Sequence, residues 1–173
     1  IRANERSAEA AVKYVLLGGM SSAILLYGFA LLYGATGTTD LVATAGGPGI
    51  AGVLAKSLSE GNVLLLIAEI LILAGIGFKI SAVPFHMWAP DIYEGSPTTA
   101  TAFFSVGSKA AGFALLFRIF LYSNLWHLNQ TSMVIIFSIV AVLTMTLGNI
   151  VAAVQSNVKR MMAYSSIAQA GYI

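Results

Sequence analysis

Polar residues collect between long apolar stretches of this chain, and the lengths of those stretches set the expected fold. A membrane-spanning helix needs about 20 predominantly apolar residues. Runs of that kind occupy residues 11–33, 63–83, 98–122 and 132–154, and a further run starts at residue 158 and continues to 173. The connection from 34 to 62 is rich in Gly and Thr, and within it Ile50, Val53, Leu54 and Leu58 recur at helical spacing. That spacing predicts a short interfacial helix. The expected architecture is an all-α, polytopic transmembrane helix bundle forming one domain.

Lysine and arginine at the ends of the runs predict the orientation. Arg2, Arg6 and Lys13 flank the first run, and Lys159 and Arg160 follow the fourth. Four crossings return the chain to its starting side, so both basic groups can be cytoplasmic together. The 34–62 connection, with Asp40, Lys56 and Glu60 nearly in balance, is then external, and the loop holding His86, Asp91 and Glu94 is cytoplasmic. Asn129-Gln130-Thr131 on the external side has the form of a glycosylation sequon, a three-residue pattern that arises readily by chance. Most of the aromatics Tyr14, Tyr27, Tyr33, Trp88, Tyr93, Tyr122 and Trp126 fall near run ends, as an interfacial belt requires.

Composition narrows the function classes. Hydrophobic residues make up 58% of the 173 and charged residues only 9%, with a mean hydropathy of +0.85. A formal charge of +2 without a basic stripe argues against a nucleic-acid partner. With no cysteine, disulfides, thiolate metal sites and cysteine-held iron–sulfur clusters are excluded from these residues. Gly75-Ile76-Gly77 lacks the third glycine of a dinucleotide fingerprint, and no Walker lysine follows a glycine-rich stretch. His86 and Asp91 share a loop without a nearby third metal ligand, and Ser165-Ser166 has no histidine partner nearby.

The informative residues are the charges inside the apolar runs: Glu69, Lys79, Lys109 and Arg118. Each costs on the order of 2.5–3.5 kcal/mol at a helix centre on insertion scales. Arg118 lies close enough to the external end of its run to snorkel or to hold an ion pair. Lys109 stands about 16 Å of helix from either end of its run, beyond easy reach of water. Small residues surround it, and Ser108 and Gly112 form a small-xxx-small pair that permits close helix approach. Lys109 is expected to face protein, an acid or trapped water.

Lys79 sits near a predicted break, with Gly75 and Gly77 weakening the helix before it and Pro84 ending it afterwards. Broken helices at membrane depth line hydrated cavities and mark ion sites in transporters. Burial penalises a charged ammonium and a nearby carboxylate favours it. A buried lysine whose acidic partner moves or changes protonation can therefore load and release a proton. Glu69 is about 15 Å along the same helix from Lys79. It is open to three readings: a relay acid, a partner for Lys109 or Arg118, or a protonated group in the membrane.

The stretch GFKISAVPFHMWAPDIYEGSPT, residues 77–98, resembles the signature of the antiporter-like subunits of respiratory complex I and its photosynthetic relatives. AVKYVLLGGMSSAILLYG (11–28), SKAAGFALLFR (108–118) and LGNIVAAVQSNVKRMMAYSSIAQAGY (147–172) support it in the expected order. The DIYEGSP form and the lysine in SKAA resemble the subunit N (chain 2) branch of NADH-quinone oxidoreductase. The resemblance implies a piece of a fourteen-helix fold with inverted five-helix repeats and a discontinuous helix, read here as an internal fragment.

The resemblance also implies that Lys79 and Lys109 belong to a buried proton relay. The acid that pairs with Lys79 is then expected before Ile1 and a final lysine after Ile173. Glu69 matches no motif position, and His86, Asp91 and Glu94 belong to the motif without an assigned role, fixing of the loop being the simplest. The implied partners are other membrane subunits of complex I, the lipid bilayer and protons. NADH, FMN, iron–sulfur clusters and quinone are expected on other subunits and no cofactor on this chain. The expected location is a bacterial inner (plasma) membrane, with an organellar or thylakoid membrane second. A cation/proton antiporter subunit and a structural membrane scaffold are the alternative readings.

Overall fold

The computed structural model describes residues 5–57, 63–123, 125–128 and 130–173. Arg2, Leu58, Glu60 and Asn129 lie outside these residues. Helix α1 (Glu5–Thr36) is followed by a loop and the short α2 (Gly49–Ser57), then α3 (Val63–Ile80) and α4 (Trp88–Gly95). The third span is built from α5 (Thr98–Phe103), a π-helical turn (Phe104–Ser108) and α6 (Lys109–Tyr122). The short α7 (Leu125–Leu128) leads into α8 (Gln130–Ala153), and α9 (Val158–Tyr172) completes the described chain. Among the described residues four helical stretches are long and apolar enough to cross a membrane: Ser7–Thr36, Val63–Ile80, Thr98–Tyr122 and Gln130–Ala153.

The long helices therefore fall on the apolar runs, and the short helix expected in the 34–62 connection appears as α2, with Ile50 and Leu54 buried in the protein. The first span is longer than residues 11–33 at both ends, because the polar residues before Ala11 continue the helix. The second ends at Ile80 rather than 83. Ser81 takes a left-handed conformation (φ 60°), which ends the helix, and Val83-Pro84 is a cis peptide bond. Gly75 and Gly77 do not weaken α3 before Lys79, since both lie within the continuous helix. Their role is close packing. A Cβ at Gly75 would stand 2.6 Å from Leu25 Cβ, and one at Gly77 would stand 3.0 Å from the Phe85 ring.

Helices pack in two groups around buried apolar side chains. In the larger group, Ala68, Ile72 and Ile76 of α3 pack with Leu32 of α1, Leu54 of α2 and Ile119 and Phe120 of α6. In the smaller, Trp88, Ile92 and Tyr93 of α4 pack with Ala163 and Ile167 of α9. Trp88 and Tyr93 are 3% and 1% exposed, so they are core residues and not part of an interfacial belt. Tyr14 also turns inward, its ring 5.9 Å from Trp88 and 5.1 Å from Phe104. Proximity to a helix end misled here, because α4 folds back between α1 and α9 and covers those rings.

Helices α8 and α9 form a tight pair. A Cβ at Gly148 would lie 2.7 Å from the Ala168 backbone nitrogen, and one at Gly171 would lie 2.9 Å from the Met145 backbone nitrogen. Glycine is what allows the two backbones to meet.

Candidate functional site: intramembrane lysines and a charged clasp

The third span brings Lys109 to the interior through an irregularity that the apolar pattern did not reveal. Residues Phe104–Ser108 form a π-turn, so Lys109 opens a new α-helical segment directly after it. Single π-turns inside α-helices occur frequently at functional sites. The Lys109 residue is 7% exposed, and its Nζ donates to the Ser166 carbonyl of α9 at 2.6 Å. Of the expected companions, Lys109 has taken protein, in the form of a backbone carbonyl.

Lys79 occupies the last turn of α3 and is half-buried. The α3–α6 crossing lies at Gly112, where an added Cβ would meet Ile80 Cγ2 at 2.7 Å and Lys79 Cβ at 3.6 Å. Gly112 is one turn after Lys109, on the same helix face. Two intramembrane lysines are thus carried by crossing helices that touch beside both of them. The chain after Lys79 is held from several directions. The Trp88 indole Nε1 donates to the Phe78 carbonyl at 2.8 Å, and the Val83 backbone N–H donates to Thr144 Oγ1 of α8 at 3.0 Å. Thr144 passes its own proton to the Val140 carbonyl at 2.6 Å.

Glu69 is fully buried, and neither carboxylate oxygen has a hydrogen-bond partner among the described residues. Among the described residues no ion pair joins it to Lys79, Lys109 or Arg118. Arg118 is exposed on the outer face of α6, also without an ion pair among the described residues.

The motif loop separates into unlike parts. His86 lies in the turn after the break, where burial pushes its imidazole below its ordinary value, and it does not join the acids. No group of three or more metal-ligating side chains occurs among the described residues. Asp91 and Glu94, on α4, are the centre of a charged clasp. Lys13 Nζ of α1 bonds Asp91 Oδ2 at 2.9 Å and Glu9 Oε1 at 2.7 Å. Arg160 Nη1 of α9 bridges Asp91 Oδ1 at 2.8 Å and Glu94 Oε2 at 3.1 Å. Asn157 caps α9 by accepting from the Lys159 and Arg160 backbone N–H groups, and its Nδ2 donates to Glu94 Oε1 at 3.1 Å. Lys159 Nζ donates to the Ser96 carbonyl at 2.9 Å, and Ser7 Oγ to the Gly95 carbonyl at 2.7 Å. Burial alone would raise the Asp91 carboxyl, but hydrogen bonds from Lys13 and Arg160 hold it below its ordinary value. Lys13, Lys159 and Arg160, drawn from the two basic groups that the orientation rule used, are therefore at the same end of the bundle and are structural partners as well as orientation signals.

Long apolar helices with lysines inside the apolar stretches, one of them just before a helix-ending turn, are an arrangement also met in ion-translocating membrane proteins. The family model described as NADH:quinone oxidoreductase/Mrp antiporter, TM, matches residues 1–173, and the chain belongs to that family. It is 49% identical over 170 residues to the NADH-quinone oxidoreductase subunit N of Desulforamulus reducens, a match covering 97% of this chain and 33% of the relative. In respiratory complex I from Thermus thermophilus, one chain superposes with a TM-score of 0.77 at 40% identity, over 98% of this chain and 34% of that one. A chain of the Mrp complex from Dietzia shares the fold, with a TM-score of 0.79 at 24% identity over 98% of this chain and 29% of that one. The chain thus spans about a third of the length of these relatives.

Proposed function

We propose that this chain is part of a proton-translocating membrane subunit of an NADH-quinone oxidoreductase, the subunit N type, in which Lys79 and Lys109 carry protons between hydrated paths. The observation that carries this reading is the meeting of the two lysine-bearing helices at Gly112 beside a broken span. An ionisable side chain kept inside an apolar span is costly, which makes a functional reason for it the default reading, and the crossing at Gly112 puts the two lysine-bearing helices in contact. In this reading the chain holds no NADH, flavin, cluster or quinone, and redox subunits elsewhere in the complex drive it. Its partners are the other membrane subunits, and its location is a bacterial plasma membrane. Glu69, fully enclosed yet unpaired, stands outside the two-lysine relay, and so does the exposed Arg118.

The family also includes Mrp antiporters, so a cation/proton exchange subunit is the second reading. The subunit N name of the 49%-identical relative favours the first. The test is Lys79→Ala in the full-length subunit within its assembled complex, in inverted membrane vesicles. Loss of proton transport together with slowed NADH oxidation is the expected result. A scaffold would assemble and pump normally, and an exchanger would instead lose sodium-dependent proton movement without any change in NADH oxidation.

A further inference from the structure

Arg160 is twice occupied by acids although it lies six residues, about 9 Å of helix, from the Ser166 carbonyl that receives Lys109. A basic residue that only marks orientation needs a headgroup or water, whereas a single Arg160 nitrogen here bridges two carboxylates on α4. Around it, Asn157, the N-cap of α9, and Lys159 in its first turn add two more bonds, to Glu94 of α4 and to Ser96 at the C-cap of α4. Every one of these contacts fixes the position of α9 along α4. At its other end α4 is anchored to the residue before Lys79, by the Trp88 bond to the Phe78 carbonyl and by a Trp88–Phe78 ring stack of 5.4 Å. A continuous set of contacts therefore runs from the Lys79 turn through α4 and α9 to Lys109.

We infer that Arg160 is a positioning residue for Lys109: by clasping Asp91 and Glu94 it holds α9 on α4 and so keeps the Ser166 carbonyl on the Lys109 ammonium. Arg160 and Ser166 project from different sides of α9, so the effect passes through the placement of the helix and not through contact. The same clasp fixes Lys109 relative to the turn that carries Lys79, because α4 is common to both. Lys13, which shares Asp91, ties the assembly to α1 and cannot replace Arg160, since it makes no contact with α9 among the described bonds.

The inference rests on the relay reading, and the experiment separates the two. Arg160→Ala, Arg160→Lys and Lys109→Ala are made in the full-length subunit within the assembled complex. Assembly is quantified on native gels, and coupled NADH oxidation and vesicle acidification are measured over a range of quinone concentrations. For Arg160→Ala at normal assembly, kcat should fall by about three- to tenfold, with the KM for quinone unchanged. Arg160→Lys, which keeps a cation between the two acids, should restore at least half of that loss. Wild-type turnover in Arg160→Ala, no rescue by lysine, or a loss that simply follows lost assembly would each overturn the positioning role. If Lys109→Ala also pumps normally, the relay reading itself falls; if Lys109→Ala is inactive while Arg160→Ala is silent, only the positioning role falls.

Discussion

Replacing Gly148 by alanine is a direct test of how closely α8 and α9 are packed. The new Cβ would lie 2.7 Å from the Ala168 nitrogen and 2.9 Å from both its Cα and its Cβ. Unstrained carbon–carbon contacts are ≈3.5–4.0 Å, so the helices must part by about 0.6 Å or more. Overpacking of this kind costs about 1–3 kcal/mol. Removing a mid-helix glycine returns about 0.5–1 kcal/mol, which would blur the result if the variant were measured alone. Gly19 supplies the reference, because it lies in the middle of α1 and a Cβ there meets nothing within 4 Å among the described residues. The difference between Gly148→Ala and Gly19→Ala cancels the propensity gain and isolates the clash, at about 1–3 kcal/mol. The assay is the midpoint of SDS denaturation of the full-length subunit in mixed micelles, followed by circular dichroism. Adding Ala168→Gly should recover only part of the loss, because two of the three short contacts are to backbone atoms. Equal stability of Gly148→Ala and Gly19→Ala, or complete recovery by Ala168→Gly, would refute the argument from backbone contact.

The break and the clasp each offer a further prediction. Thr144→Val leaves the buried Val83 N–H without its acceptor, a loss of about 1–3 kcal/mol, which the same denaturation assay should register. The folded Asp91 carboxyl is held below its ordinary value of 3.8, so its stabilising contribution is present above that pH and is lost as pH falls through the lower folded value. Stability measured from pH 6 downward should drop below about pH 4, and Asp91→Asn should flatten that part of the curve. The effect should be small and should shrink in high salt, because the pair is partly solvated.

The spans were readable because a bilayer demands about 20 apolar residues in a row, a local property of sequence. Lys79 and Lys109 were readable for the same reason, as charges where the pattern permits none. The break was anticipated from Pro84, although it falls after Lys79, where Ser81 turns, and the glycines before it serve packing. The clasp was not readable as a unit. Its bonds join residues 78 and 69 positions apart, and at run ends a basic residue looks the same whether it faces headgroups or an acid. The π-turn before Lys109 was equally hidden, since an apolar stretch with small residues reads the same in either helical form. The burial of Trp88 and Tyr93 followed from the return of α4 into the bundle, a tertiary event that no local pattern records.

Asp91 holds a cation from α1 on one oxygen and a cation from α9 on the other. Transporters of the rocking type admit their cargo by swinging one bundle of helices against another, which requires the two sides to separate at each end in turn. Here the first and last described helices are stitched to a common carboxylate at one end, and their separation there would strand charge at the edge of the lipid. In the translocation reading proposed above, this shared carboxylate favours movement of charge by rotating side chains and rearranging water over a swing of α1 against α9, a mode that suits a cargo as small as a proton.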